Sequence, residues 1–256
     1  MAKIIAVANQ KGGVGKTTTA VNLSASLAAA EHRTLLVDMD PQANACSGLG
    51  IDKTKVISTV YNVLLGEASA AEVIQKTALD YLHILPSNTD LIGAEIELLE
   101  SPERDKMLKL ALATVSDNYE YIIIDCPPSL SLLTVNSLCA ANSVLVPLQC
   151  EFYAMEGLGQ LLQTIRLVQQ ELNQALEIGG ILLTMFDGRN NLCHQVSSEI
   201  REHFGNKVFN AVVPRNVRLS EAPSYGQPAL LYDIASRGAQ AYMDLAKEVL
   251  VGGAHG

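Results

Sequence analysis

The 256-residue sequence predicts an α/β fold, a doubly wound, mostly parallel sheet flanked by helices. Three observations predict it. Apolar strand-like runs alternate with longer helical patterns along the chain, the order that βα units produce. Most of the runs, such as "YIIID" at 121–125 and "SVLVPLQ" at 143–149, are continuously apolar, as strands covered on both faces require. A glycine-rich stretch, "QKGGVGKTTT", lies between the first strand and the first helix. In open α/β sheets that is where ligands sit, outside the carboxyl ends of the strands.

The strands are expected at 3–9, 34–39, 82–87, 121–125, 143–149, 179–186 and 207–213. Helical patterns fill the intervals at 16–30, 57–65, 89–99, 103–116, 130–141, 155–173, 191–204 and 236–250. There is no long Pro/Gly/Ser linker, repeat or low-complexity block, so residues 1–256 read as a single domain. Apolar residues make up 48%, which argues for a packed core and against disorder. No apolar run approaches the ~18 residues of a membrane span. "KIIAVAN" opens at the third residue, which predicts neither a signal peptide nor a preceding DNA-reading module. Cys46, Cys126, Cys139, Cys150 and Cys193 are scattered, with no CxxC pair. That pattern predicts reduced thiols in a cytosolic protein and argues against zinc or iron–sulfur binding. The net charge of −9 opposes binding to nucleic acid or anionic lipid unless a local basic patch provides it.

The segment after the first strand carries the most specific chemistry. Gly12, Gly13 and Gly15 let backbone N–H groups curl around an anion, and the following helix adds the positive end of its dipole. Lys16 places a point charge on β- and γ-phosphates, and Thr17 offers a hydroxyl to Mg²⁺. The predicted nucleotide-binding stretch runs from Lys11 through Thr18 and includes Val14. The usual pattern is G-x-x-x-x-G-K-[ST]. Its first glycine falls on Gln10 here, and Lys11 is an addition. The residues alone leave open whether Lys11 serves its own nucleotide, a neighbour's, or only solvent.

Acidic residues end two strands. Asp38 and Asp40 in "VDMDPQ" share a strand face if extension persists, and a carboxylate there can orient a water or a magnesium-bound water. Asp125 caps "YIIID" in the Walker B position, where it polarises the hydration shell of Mg²⁺; Pro127 and Pro128 then force a turn.

Several stretches in order, "NQKGGVGKTTTAVNL", "LLVDMDPQANACSGLG", "YIIIDCPPSL", "LVPLQCEFYAMEGL" and "VVPRNVRLSEAPSYGQPALLYD", make the chain resemble the ParA/Soj-type partitioning ATPases. The resemblance covers nearly the whole length and implies a deviant Walker A P-loop fold. It implies ATP and Mg²⁺ as cofactors, with Thr17, Asp40 and Asp125 serving the metal. Lys11 is then expected to reach the nucleotide of a second copy in an ATP-dependent homodimer, with Gly12 at the contact. Lys11, Lys16, Asp40 and Asp125 become the catalytic set, Asp40 positioning the hydrolytic water. Pro214 and Asn216 of "PRN" are expected at the adenine. Arg189 is expected to contact duplex DNA without sequence preference, with Arg218 as a second candidate. A ParB-type partner is expected to stimulate hydrolysis, in a bacterial, nucleoid-associated, cytoplasmic setting without membrane attachment. The region 187–218 fits this, with five basic residues against three acids: a balance of +2, leaving −11 elsewhere.

Two other readings share the cradle. A MinD-like membrane-positioning ATPase needs a basic amphipathic C-terminal helix. In the last helical pattern Tyr242, Leu245, Ala246, Val249 and Leu250 share one face, but Asp244, Lys247 and Glu248 make the polar face acidic on balance. An ATP-using metabolic enzyme needs either clustered cysteines or a substrate pocket, and the sequence displays neither.

Overall fold

The computed structural model describes residues 2–151 and 154–252. Its strands are β1 (Lys3–Val7), β2 (Thr34–Asp38), β3 (Gln75–Lys76), β4 (Leu82–Leu85), β5 (Tyr121–Asp125), β6 (Ser143–Gln149), β7 (Glu177–Phe186) and β8 (Val208–Pro214). They form one sheet in the order β3-β4-β2-β5-β1-β6-β7-β8. Every pairing is parallel except β3 with β4. The sequence successors of β1 lie on both sides of it, so the strand order reverses around β1, and the crevice there is the expected ligand position.

The helices are α1 (Lys16–Ala29), α2 (Asn44–Gly48), α3 (Val60–Leu64), α4 (Ala70–Val73), α5 (Leu91–Glu97), α6 (Met107–Ala113), α7 (Leu132–Ala140), α8 (Ala154–Glu171), α9 (Asn191–Phe204), α10 (Val217–Glu221), α11 (Ala229–Tyr232) and α12 (Arg237–Leu250). Strand side chains alternate between two apolar layers. Ile5, Val7, Leu36, Ile123 and Leu145 pack with α1, α2, α11 and α12. Ala6, Leu35, Val37, Ile122 and Ile124 pack with α3 and α5–α9. Burial on both faces is why the strands read as unbroken apolar runs.

All seven expected strands form, 121–125 and 143–149 with the expected bounds and the others with shifted ends. The first stops at Val7 and the third at Leu85, where the chain leaves the sheet, although Ala8 still donates to Leu145 O at 3.1 Å. The two-residue β3 was not expected, and it makes the Asp125 strand fifth rather than fourth in chain order. Short helices α2, α4, α10 and α11 were also not expected; four or five residues give no readable period.

The last helix is integrated into the layers. Tyr242, Leu245, Ala246 and Val249 are buried, and the Tyr242 hydroxyl lies 3.1 Å from Thr19 Oγ1 on α1. On the polar side, Glu248 accepts from the Asn210 and Ala211 N–H groups at 2.9 and 2.6 Å. The apolar face that a lipid anchor would expose is covered by the protein. No helix among the described residues is long and apolar enough to cross a membrane.

Candidate active site

The cradle forms where β1 hands over to α1. Gly13 and Gly15 adopt left-handed backbone, φ 75° and 89°, which L side chains rarely tolerate. Gly15 is the N-cap of α1 and offers no side-chain cap, and the first turn holds no acidic residue. The N-terminal N–H groups and the positive dipole end are left for an anion. Val14 is buried, and its carbonyl accepts from Thr184 Oγ1 at 2.8 Å, which ties the loop to β7. Lys11, Gly12 and Gly13 are exposed; Thr17 and Thr18 are half-buried.

Lys16 turns inward. It is only 7% exposed, and its Nζ donates to the Lys11 carbonyl at 3.1 Å. Burial pulls its ammonium below the usual lysine range, while the charges of Asp125 and Asp40 offset this in part. A phosphate brought here gives this cation the partner that burial denies it.

The carboxylates converge at the ends of β2 and β5. Asp38 and Asp125 are register partners on adjacent strands, and both are fully buried. Neither oxygen of Asp125 has a full hydrogen-bond partner. Burial first, then the charge of Asp38, pushes its carboxyl well above the usual range; Thr17 and Lys16 offset this only in part. Asp38 is better served: Oδ1 accepts from Asp40 N at 3.2 Å and Oδ2 from Cys46 N at 3.0 Å. Burial still raises it to about 6. Extension does not persist from Asp38 to Asp40 as expected. Strand β2 ends at Asp38, the chain bends back onto that carboxylate, and Asp40 Oδ1 instead accepts from Gln42 N at 2.9 Å.

An unpartnered buried carboxylate beside a hydroxyl and an anion cradle fits a hydrated divalent cation. Thr17 and Asp125, with Asp40 at the rim, are the residues that can hold Mg²⁺ with its waters.

A cavity of about 640 Å³ opens beside the cradle, lined by Gly15, Thr18, Pro214, Asn216, Arg215 and Arg189 among others. Pro214 and Asn216 therefore sit next to the phosphate loop. Asn216 caps α10, its Oδ1 accepting from Arg218 N at 2.8 Å, which leaves its amide nitrogen for a ligand. Arg189 is 91% exposed at the cavity rim, and Asp187 grips its guanidinium with two hydrogen bonds of 3.0 and 2.9 Å. Arg218 lies apart on α10, between Glu221 at 2.8 Å and Asp233 at 3.2 Å. Of the basic residues in 187–218, Arg201 and Lys207 lie towards the amino-terminal end of the sheet and do not join this group; the Arg201 guanidinium is spent on the Phe209 carbonyl at 3.1 Å. Exposed Arg215, not singled out from sequence, does join it. Its place beside Pro214 and Asn216 was the available signal.

All five cysteines are free and buried. Burial raises Cys126 to about 12 and Cys150 to about 11, so neither thiol is activated.

Comparison with known proteins agrees with this geometry. A family model described as "AAA domain" matches residues 2–178. The sporulation initiation inhibitor protein Soj of Bacillus subtilis is 57% identical over 253 residues, covering 99% of this chain and 100% of that protein. The chromosome partitioning protein ParA of Myxococcus xanthus is 57% identical over 248 residues, covering 97% and 88%. A solved structure described as cobyrinic acid a,c-diamide synthase from Mycobacterium smegmatis, with bound ADP and magnesium, is 39% identical with a TM-score of 0.86, covering 98% and 95%. The chain belongs to the ParA/Soj family of chromosome-partitioning ATPases.

Proposed function

We propose that this chain is an ATP-driven partitioning switch: two copies sandwich two ATP molecules, the pair adheres to DNA without sequence preference, and hydrolysis releases it. The observation that carries the reading is the division of labour between two lysines. Lys16 points into the cradle towards Asp125 and Asp40, whereas the Lys11 side chain leaves it for the exposed mouth, where it pairs with Glu151. One cation serves the chain's own phosphates and the other is available to a second copy.

Mg²⁺, held by Thr17 and Asp125, supplies charge neutralisation at the β- and γ-phosphates. The chain's residues do the rest. Backbone N–H groups of Gly12–Thr18 and the end of α1 bind the phosphates, and Lys16 fixes the terminal one. Asp40 orients the attacking water. Lys11 from the opposite copy offsets the charge that builds on the leaving oxygens, as an arginine supplied in trans does elsewhere. Pro214 packs on adenine and Asn216 reads its edge. Gly12 keeps the contact between copies open; a Cβ there meets nothing within 4 Å in a single copy, so a side chain at this position would stand free to obstruct the second copy.

DNA is held through phosphates by Arg189, with Arg215 beside it and Arg218 further off. Two such patches side by side multiply a weak affinity. A ParB-type protein is the expected stimulating partner, and the chain reads as one ATPase domain in a bacterial cytoplasm, nucleoid-bound when loaded. The amide-forming activity named for the 39%-identical structure needs room for a carboxylate substrate at the phosphates. Here the large cavity by the cradle lies on the Pro214–Asn216 side, where adenine is expected, and a 370 Å³ cavity lined by Lys3, Glu177 and Lys207 lies at the opposite end of the sheet.

The test is retention of arbitrary duplex DNA with ATP, ADP or no nucleotide, across a salt series. Retention with ATP alone, falling steeply with salt, is expected. Arg189→Glu is expected to abolish retention while leaving ATP-dependent dimers intact. Equal retention in all nucleotide states would refute the switch, and normal retention by Arg189→Glu would clear that residue.

A further inference from the structure

Lys11 is anchored by its backbone and held at its tip by a single exposed ion pair. Its N–H donates to Asn9 Oδ1 at 3.0 Å, and its carbonyl accepts from Lys16 Nζ at 3.1 Å. Asn9 is in turn fixed to the neighbouring strand, its Nδ2 donating to Pro147 O at 2.7 Å. The Lys11 side chain leaves the loop. It crosses from the loop after β1 to the segment after β6, where its ammonium pairs with the Glu151 carboxylate. The side chains are 41% and 45% exposed, so the pair sits in solvent at the mouth of the cradle.

We propose that Glu151 is a counter-ion that holds Lys11 on its own subunit, and that breaking this pair sets the ATP concentration at which two copies associate. The proposal rests on the reading that Lys11 acts across the interface. One ammonium does not satisfy a carboxylate in cis and a phosphate in trans at full strength. The γ-phosphate carries more charge than a carboxylate and offers more acceptors, so ATP competes for Lys11 where ADP does not. After hydrolysis Glu151 recaptures the lysine. A two-fold dimer breaks the pair twice. An exposed ion pair shifts an equilibrium by about 1.4- to 5-fold, and the symmetric dimer squares this to about 2- to 30-fold.

A built-in control separates pairing from bulk charge. Glu156, in the first turn of α8, lines the same shallow groove as Gln10 and Lys11 but makes no ion pair among the described residues. Glu151→Gln keeps the shape and removes the charge. Two ATP enter each dimer, so sedimentation velocity across an ATP titration is expected to show its dimer midpoint at about 1.4- to 5-fold lower ATP than wild type. ATP affinity of the dilute monomer is expected to stay unchanged. Glu156→Gln is expected to follow wild type. Glu151→Gln added to Lys11→Ala is expected to dimerise no better than Lys11→Ala alone.

An unchanged or higher midpoint for Glu151→Gln overturns the proposal, as does an equal gain in Glu156→Gln or a parallel shift in monomer ATP affinity. If Lys11→Ala itself pairs like wild type, the trans reading of Lys11 falls and the proposal with it. If Lys11→Ala stays monomeric while Glu151→Gln matches wild type, only the counter-ion role falls.

Discussion

The buried acid pair at the ends of β2 and β5 makes the nucleotide-free protein sensitive to pH in a calculable direction. Asp38 is fully buried and titrates near 6, against 3.8 for the free side chain, because burial disfavours its charge more than two backbone N–H donors favour it. The native state therefore holds this proton more tightly than the unfolded chain. The resulting stabilisation is complete below pH about 3.8, declines as pH rises towards 6, and is absent above. A shift of that size corresponds to about 3 kcal/mol. Asp38→Asn removes the titration. It also loses one acceptor, since both Asp38 oxygens accept backbone hydrogen bonds and asparagine has a single carbonyl oxygen. That loss costs about 1.5–3 kcal/mol against an ionised carboxylate. The shift to about 6 already includes those two hydrogen bonds, so the gain belongs to pH 7.5 and is lost at pH 4, where native Asp38 is protonated. Removing the Asp38 charge also relieves Asp125, which shifts the balance the same way. Urea unfolding without nucleotide, from pH 4 to 7.5, is the assay. The variant is expected to gain about 2.5 kcal/mol relative to wild type across that range. A difference flat to within about 0.5 kcal/mol, or of opposite sign, refutes the reasoning, because exposed carboxylates contribute equally to both proteins.

Two further outcomes are expected. Asp40→Ala should lower ATP turnover by at least about 100-fold and accumulate ATP-bound dimers in size-exclusion chromatography; a purely monomeric profile with ATP would give Asp40 another task. Gly226→Ala should destabilise by about 2–4 kcal/mol in urea unfolding, combining left-handed strain with overpacking. Its φ is 64°, and a Cβ would stand 2.7 Å from the Gly50 Cα, a backbone atom with little room to yield. Gly66→Ala is the comparison: φ is 74° but the space is open, so only the strain of about 1–2 kcal/mol is expected, and equal losses would refute the clash.

Local chemistry was legible and long-range pairing was not. The cradle could be read because glycine backbone freedom, the helix start and Lys16 are encoded within a few residues. Asp125 could be read because a carboxylate at the end of a buried strand is costly unless a cation or a donor meets it. The bend from Asp38 back to Asp40 was missed because its cause, the Cys46 N–H arriving from α2, depends on a helix too short to have a period. Glu151 was missed for a plainer reason: it lies 140 residues from the lysine it binds, and only the order of β1 and β6 in the sheet brings them together. The same limit hid a pattern in the cations assigned to other molecules. Lys11 has Glu151, Arg189 has Asp187, and Arg218 has Glu221 and Asp233. Each lies beside an acid of its own chain, so its field is damped within a few ångströms. Arg215, beside Arg189, makes no ion pair among the described residues. A net charge of −9 with one unpaired arginine at this rim opposes DNA binding by a single copy. On the proposed mechanism that weakness has a use, because DNA affinity then appears only when a second copy doubles the patch.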